Sequence, residues 1–183
     1  MPKNLEFKAR IKEPAELEKV LRSGKAEFIG VIEQKDTYFK ISGGRLKIRE
    51  ASDRNPELIY YNRNESSSSG MESTYDVLPL KDTKLKEILS EGLGVKVVVE
   101  KKRTLLMYKN ARIHIDDVVG LGSFIEFEVV SNGDDNGDRE LLDLLKRLAA
   151  PFVLEAIAKS YSDLMEGQSD LLSLGGVRPS GPI

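Results

Sequence analysis

Cysteine is absent from this chain of 183 residues, and histidine occurs only once. Without cysteine there is no disulfide, no zinc-thiolate site and no thiol nucleophile. The sequence also lacks an apolar run of the roughly 18 residues that a membrane-spanning helix needs, and its N-terminus has no signal-peptide pattern. These absences predict a soluble, cytoplasmic protein that does not act at a membrane.

A large excess of either charge is also missing. The 28 Lys and Arg residues against 30 Asp and Glu residues leave a formal net charge of −2. Proteins that hold nucleic acid by bulk electrostatics carry a positive excess, so a nucleic-acid partner is not expected. The 40% hydrophobic content suffices for one core. We expect one domain over residues 1–166, with an irregular loop at 64–70 and a disordered Gly/Ser/Pro-rich tail at 167–183.

Alternation of apolar and charged residues is the dominant pattern. In residues 4–12, NLEFKARIK, every second side chain is apolar, as in a strand with one buried face. The sequence predicts an α+β protein that is mainly antiparallel β, with helices packed outside the sheet. Further strands are predicted at 27–41, 45–50, 57–63, 72–79, 96–102, 104–109, 112–117 and 123–130, and helices at 14–23, 82–91, 139–149 and 152–165.

The polar faces of these strands contain a consistent chemical set. Any one of them alone is typical of a solvated strand. Enclosed together, they would suit a polyphosphate, because carboxylates bind Mg²⁺ or Mn²⁺ while Arg and Lys bind phosphate oxygens. If the strands form a barrel whose charged faces point outwards instead, the barrel is purely structural and binds no triphosphate. The carboxylates are Glu6, Asp116, Glu126 and Glu128, and the cations are Lys8, Arg45, Lys47, Arg49, Lys101 and Arg103.

Several separated motifs resemble those of the CYTH superfamily, which contains the class IV adenylate cyclases and the thiamine triphosphatases. The motifs are EFK at 6–8, QKDTYF at 34–39, GRLKIR at 44–49, LIYY at 58–61, EKKR at 100–103, IHIDDVVGLGSFIEFE at 113–128 and SYSDLM at 160–165. The resemblance covers most of the chain in the same order. It implies an eight-stranded closed antiparallel β-tunnel with helices outside, as in the triphosphate tunnel metalloenzymes.

The resemblance also implies roles for individual residues. It assigns metal binding, by Mg²⁺ or Mn²⁺, to Glu6, Asp116, Glu126 and Glu128. Catalytic roles fall to Lys8, Lys47, Arg49 and Arg103, and substrate contacts to these four together with Arg45, Arg63 and Lys101. Two positions depart from the family pattern. Asn4 stands where the family has Glu, and Asn62 stands where a Lys is common, so that contact is either taken over by Arg63 or missing.

The resemblance implies a metal-dependent phosphohydrolase acting on a small triphosphate, either thiamine triphosphate or inorganic tripolyphosphate, because no residue can be assigned to adenine recognition. Two alternatives stay open. One is a class IV-type cyclase that converts ATP to cyclic AMP and pyrophosphate, and the other is a tunnel that binds polyphosphate or nucleotide without turnover. His114 is interpreted as a structural hydrogen-bonding residue, and Tyr161 as either a packing residue or a lid. The oligomeric state is left open.

Overall fold

The computed structural model describes residues 4–63, 73–131 and 133–174. Within them, nine strands and four α-helices are found. The strands are β1 (Asn4–Ile11), β2 (Glu27–Phe39), β3 (Arg45–Ala51), β4 (Arg54–Arg63), β5 (Ser73–Pro79), β6 (Val95–Tyr108), β7 (Ala111–Val118), β8 (Gly122–Val130) and β9 (Val153–Ala156). The helices are α1 (Pro14–Ser23), α2 (Lys84–Leu93), α3 (Asp135–Ala149) and α4 (Tyr161–Leu174), and a single 3-10 turn covers Ala150–Phe152.

All nine strands form one antiparallel sheet, in the order β5-β4-β3-β2-β6-β7-β8-β1-β9. The mainly antiparallel α+β class is therefore confirmed. The predicted eight-stranded closed tunnel is not. Strand β1 pairs with β8 along one edge and with β9 along the other, so the paired strands of the described chain end at β5 and β9 without joining.

Two predicted element boundaries were wrong. The strands predicted at 96–102 and 104–109 are one strand, β6, because pairing with β2 and with β7 continues through Arg103. The helix predicted at 152–165 is replaced by the 3-10 turn, β9 and the start of α4. The open edge of β1 explains this difference, since Lys12 and Ile157 donate backbone hydrogen bonds to Phe152 and Lys8 across it.

Helix α4 continues to Leu174, beyond residue 167, where an irregular tail was predicted to begin. The last part of that predicted tail, 175–183, and the predicted loop at 64–70 lie outside the described residues. None of the helices that can be described has the length and apolar character needed to cross a membrane.

The larger hydrophobic core lies on one face of the sheet, which we call the outer face. Helices α1 and α3 cover it with Leu17, Leu21, Leu141 and Leu145. Beneath them, Phe127 is fully buried, and its ring stacks on that of Phe7 at 6.0 Å between centroids. Because strand side chains alternate, burying Phe127 on this face directs the two flanking glutamates to the opposite face.

The opposite, inner face carries the charged positions and a smaller apolar cluster at one end. This inner apolar cluster consists of Tyr38, Val99, Val118, Leu121, Phe124 and Tyr161. Tyr161 is the first residue of α4, so this helix begins against the inner face of the sheet. The prediction that the helices pack outside is therefore wrong for the first turn of α4.

Candidate functional site

Strand register brings charged side chains of six strands together on the inner face. Asp36 is paired with Arg49, Arg103 with Asp116, and Lys8 with Glu126. Ion pairs join most members of the set, and a hydrogen bond to Glu126 adds His114. We call the set the charged cluster: Lys8, Asp36, Lys47, Arg49, Lys101, Arg103, His114, Asp116 and Glu126. Its central carboxylates are buried, which contradicts the alternative of a barrel whose charged faces point outwards.

Asp36 forms the first centre of the charged cluster. Its Oδ2 lies 2.6 Å from Lys47 Nζ, and both of its oxygens accept hydrogen bonds from Arg49 at 2.9 Å. Burial acts to raise the pKa of Asp36, but the charges of Lys47 and Arg49 outweigh it and hold that pKa well below the usual value. Burial lowers the pKa of Lys47, whose ammonium group also lies 5.1 Å from the ring centroid of Tyr38.

Asp116 forms the second centre and has no solvent-exposed surface. It accepts two hydrogen bonds from Arg103, both at 2.7 Å, one from Lys101 at 3.3 Å and one from the Tyr161 hydroxyl at 2.8 Å. Burial acts to raise its pKa, yet Lys101 and Arg103 keep the carboxyl ionised by lowering the pKa. Burial and the neighbouring Arg103 lower the pKa of Lys101 to about 7.

Glu126 connects three further members of the charged cluster. Its carboxylate lies 3.4 Å from Lys8 Nζ, 3.1 Å from Arg103 Nη2 and 3.4 Å from His114 Nδ1. Burial lowers the pKa of His114, so the imidazole is neutral near pH 7. His114 is thus a hydrogen-bonding partner of Glu126.

The roles of two residues of the site were not recognised from the sequence. Asp36 lies inside the quoted motif QKDTYF, where its alternation with Gln34 and Tyr38 was the available signal. Tyr161 was interpreted only as a packing residue or a lid, yet its hydroxyl reaches the second centre.

Arg45, expected to contact the substrate, is instead held by α4. Its Nη2 donates to both carboxylate oxygens of Asp163, at 2.7 and 2.9 Å, and its Nη1 donates to Ser160 Oγ at 2.8 Å. The guanidinium group is therefore occupied by protein acceptors from the start of α4. A direct contact between Arg45 and substrate stays a prediction.

The remaining predicted residues lie at the margin of the cluster or outside the description. Glu6 pairs with Glu128 in the strand register, next to the pair formed by Lys8 and Glu126. Arg112 Nη1 lies 3.4 Å from Glu128. Nothing can be said of the side chains of Asn4, Asn62 and Arg63, so the substrate contact expected of Arg63 stays a prediction.

The predicted metal ligands do not converge. Among the described residues, no group of three or more His, Asp or Glu side chains is placed to hold a metal ion. Asp116 and Glu126 are each directed at cations instead. The set of Glu6, Asp116, Glu126 and Glu128 therefore does not fit a metal in this arrangement, and their contacts to Mg²⁺ or Mn²⁺ stay predictions.

Comparison with known proteins agrees with the fold and with the motifs. A search of curated protein sequences found no match. Among solved structures, the PH1012 protein from Pyrococcus horikoshii OT3 superposes with a TM-score of 0.72 at 22% identity, covering 88% of this chain and 99% of that one. The PH1819 protein from the same organism gives a TM-score of 0.67 at 21% identity, covering 91% and 99%.

A protein from Vibrio parahaemolyticus, named as a candidate adenylate cyclase, gives a TM-score of 0.62 at 17% identity, covering 89% of this chain and 97% of that one. At such identities these likenesses establish the fold alone. The family model of the CYTH domain matches residues 2–160. Members of this family are in general metal-dependent and usually act as enzymes on triphosphates. With a match over nearly all of its length, this chain belongs to the CYTH family.

Proposed function

We propose that this chain is an enzyme that transfers the terminal phosphoryl group of a small triphosphate to water. The observation that carries the proposal is the positive excess of the charged cluster. Its ion pairs join five Lys and Arg side chains to three carboxylates, while His114 is neutral. Buried cations without matching anions are costly, and Lys101, with a pKa of about 7, carries only part of its charge near neutrality, so an anion that balances between one and two positive charges is the expected occupant.

The types of side chain suit a polyphosphate chain. Arg49 and Arg103 hold their carboxylates through Nε and Nη2, which leaves the Nη1 N–H groups to donate to phosphate oxygens, while Lys8, Lys47 and Lys101 act as point charges. The cations come from β1, β3 and β6 and are therefore spread along the inner face. This spread suits an extended row of phosphoryl groups better than a single phosphate.

The reaction needs little covalent participation by the protein. A water oxygen attacks the terminal phosphorus, the bond to the bridging oxygen breaks, and diphosphate leaves with that electron pair while the water proton passes to solvent. Negative charge grows on the oxygens in the transition state, and preorganised cations stabilise it. Asp36 and Asp116 assist indirectly, because they hold Arg49 and Arg103 in place.

Inorganic tripolyphosphate is the substrate we favour over thiamine triphosphate or ATP. Tyr38, Phe124 and Tyr161 of the inner face are buried in the inner apolar cluster, where their rings already pack against protein. They offer little ring surface on which an adenine or a thiazole could stack. Because the predicted carboxylate ligands do not converge, the proposal gives a metal no place in the site, and the general metal dependence of the family is tested directly with Mg²⁺, Mn²⁺ and EDTA.

The test measures phosphate and pyrophosphate release from tripolyphosphate, thiamine triphosphate and ATP, each with Mg²⁺, Mn²⁺ or EDTA. Arg103→Lys keeps a charge beside Asp116 but loses the fork, and we expect kcat/KM to fall about 100-fold. Arg54→Lys, at an exposed arginine, is the matched control and should leave turnover unchanged.

Each alternative predicts a different result in the same assay. Pyrophosphate with cyclic AMP from ATP would identify a cyclase. Tripolyphosphate that raises the melting temperature without turnover would identify a binding protein, because a ligand selective for the folded state stabilises by mass action. The proposal would be refuted if the protein turns over no triphosphate of the panel and if none of them raises its melting temperature.

A further inference from the structure

The first turn of α4 is fixed against the sheet by two kinds of contact. Ser160 and Asp163 form a capping box, in which each side chain accepts a hydrogen bond from the other's backbone N–H at 3.2 Å. The same Asp163 carboxylate pairs with Arg45 of β3 through both of its oxygens. The helix start and the sheet are thus joined by one shared carboxylate.

Tyr161, the next residue after Ser160, is placed by these contacts at the centre of the charged cluster. Its ring meets Phe124 edge to face, with 5.0 Å between centroids. The ammonium groups of Lys8 and Lys101 lie 4.5 and 5.0 Å from the ring centroid. Such distances are within the range of cation–π attraction, so the ring attracts both lysines.

The hydroxyl of Tyr161 makes a second, independent connection. It donates to Asp116 Oδ2 at 2.8 Å, beside the bonds that this carboxylate accepts from Arg103 and Lys101. One side chain therefore contacts two cations through its ring and reaches a third, Arg103, through Asp116. A buried tyrosine hydroxyl usually finds a hydrogen-bond partner, and here that partner is the carboxylate that also holds Arg103 and Lys101.

We propose that Tyr161 is a positioning residue, which holds Lys8 and Lys101 with its ring and Arg103 through Asp116 at the spacing that a triphosphate requires. This inference rests on the proposed function. Cations held in advance stabilise the charge of the transition state without reorganising, whereas loosened cations still attract the substrate. Loss of Tyr161 should therefore lower kcat more than it raises KM.

Three variants separate positioning from packing. Tyr161→Phe removes only the hydroxyl, and we expect kcat for tripolyphosphate to fall about 10-fold with KM within about 2-fold. Tyr161→Leu also removes the ring, and we expect a fall of about 50-fold. Leu164→Ala, on the same helix and packed against the same inner apolar cluster, is the control that should lower the melting temperature while leaving kcat unchanged.

A spectroscopic measurement tests the geometry without substrate. The tyrosine ring current should shift the ε-methylene protons of Lys8 and Lys101 upfield in the wild type and in Tyr161→Phe, and the shift should vanish in Tyr161→Leu. Signals are assigned with Lys8→Gln and Lys101→Gln. Ordinary lysine chemical shifts in the wild type would overturn the inference. It would also be overturned if Tyr161→Phe and Tyr161→Leu each kept the kcat of the wild type.

The two proposals fail in different ways. Wild-type protein that neither hydrolyses nor binds any triphosphate of the panel refutes the proposed function and this inference with it. Wild-type protein that binds tripolyphosphate without turnover refutes the proposed function and leaves the lysine ring-current shifts as the readout. Upfield shifts that vanish in Tyr161→Leu and persist in Leu164→Ala then support positioning, and ordinary shifts in the wild type refute it.

Discussion

The two faces of the sheet are buried to a similar degree by opposite means. On the outer face, Phe127 and Ile113 have no exposed surface and pack under α1 and α3. On the inner face, Asp116 is equally inaccessible and Asp36 is 4% exposed, but both are surrounded by Lys and Arg. Neighbouring residues of one strand therefore contribute to environments of opposite polarity.

The energetics of the two faces differ accordingly. Burial of apolar surface stabilises the folded state directly, by roughly 25 cal/mol for each Å² removed from water. Buried ion pairs gain little after desolvation, and apolar replacements of similar volume are often as stable. The outer face therefore accounts for the stability of the fold. The inner face, which stability alone does not require, is where a function has to be sought.

Phe127→Ala, on the outer face, should reduce stability more than a substitution in the charged cluster of the inner face. The side chain is fully buried and in contact with Phe7, so we expect the free energy of unfolding to fall by about 4 kcal/mol. Urea denaturation measures the change. The remaining folded protein should bind tripolyphosphate as before, and a large loss of affinity would show that the two faces are not independent.

Asp36→Asn tests the inner face by breaking a pair. It leaves Lys47 and Arg49 without their carboxylate, and we expect the free energy of unfolding to fall by about 3 kcal/mol. The triple variant Asp36→Leu, Lys47→Met, Arg49→Met replaces all three charged groups with apolar ones and should recover at least half of that loss in urea denaturation. A triple variant less stable than Asp36→Asn would mean that the ion pairs themselves stabilise the fold.

Lys101 gives the inner face a pH dependence that the outer face cannot have. Its pKa of about 7 means that the Lys101 amine is half protonated near neutrality in the ligand-free protein. A bound polyanion raises that pKa. Binding is then coupled to proton uptake, so affinity decreases as pH rises above 7, by up to about tenfold per pH unit, or 1.4 kcal/mol.

Titration calorimetry in buffers of different ionisation enthalpy measures this uptake. We expect tripolyphosphate binding at pH 7 to take up about half a proton more in the wild type than in Lys101→Gln. The variant serves as the control because it retains the titration of the ligand itself. Equal proton uptake by the two proteins would mean that Lys101 is fully charged before binding.

The sequence predicted the parts of this molecule that depend on local pattern. Alternation in β1 and β8 correctly placed Lys8 and Glu126 on the face opposite Phe127, and the bodies of α1, α2 and α3 were recognised. Strand β9 was missed because a four-residue segment, VLEA, has no distinguishing period, and the free edge of β1 that recruits it exists only in the fold.

The sequence also could not show which side chains of the site contact each other. Asp36 contacts Arg49 through the register of the hairpin formed by β2 and β3, and Tyr161 reaches Asp116 from 45 positions away in the chain. The sequence could place these charges on a common face, but it could not show that the predicted metal ligand Asp116 is taken up by Arg103 and Lys101.

The ion pair between Asp53 and Arg54, at the turn between β3 and β4, should have the smallest effect and sets the baseline for the comparison. Its atoms lie 2.8 Å apart, much like those of Asp36 and Lys47, but its side chains are 39% and 50% exposed. Water and salt screen such a pair, so Asp53→Asn should change the free energy of unfolding by less than about 0.5 kcal/mol. Urea denaturation at low and high salt measures it. A loss as large as that of Asp36→Asn would mean that distance rather than burial decides the cost of breaking a pair, and the contrast between the buried inner face and the surface would fail.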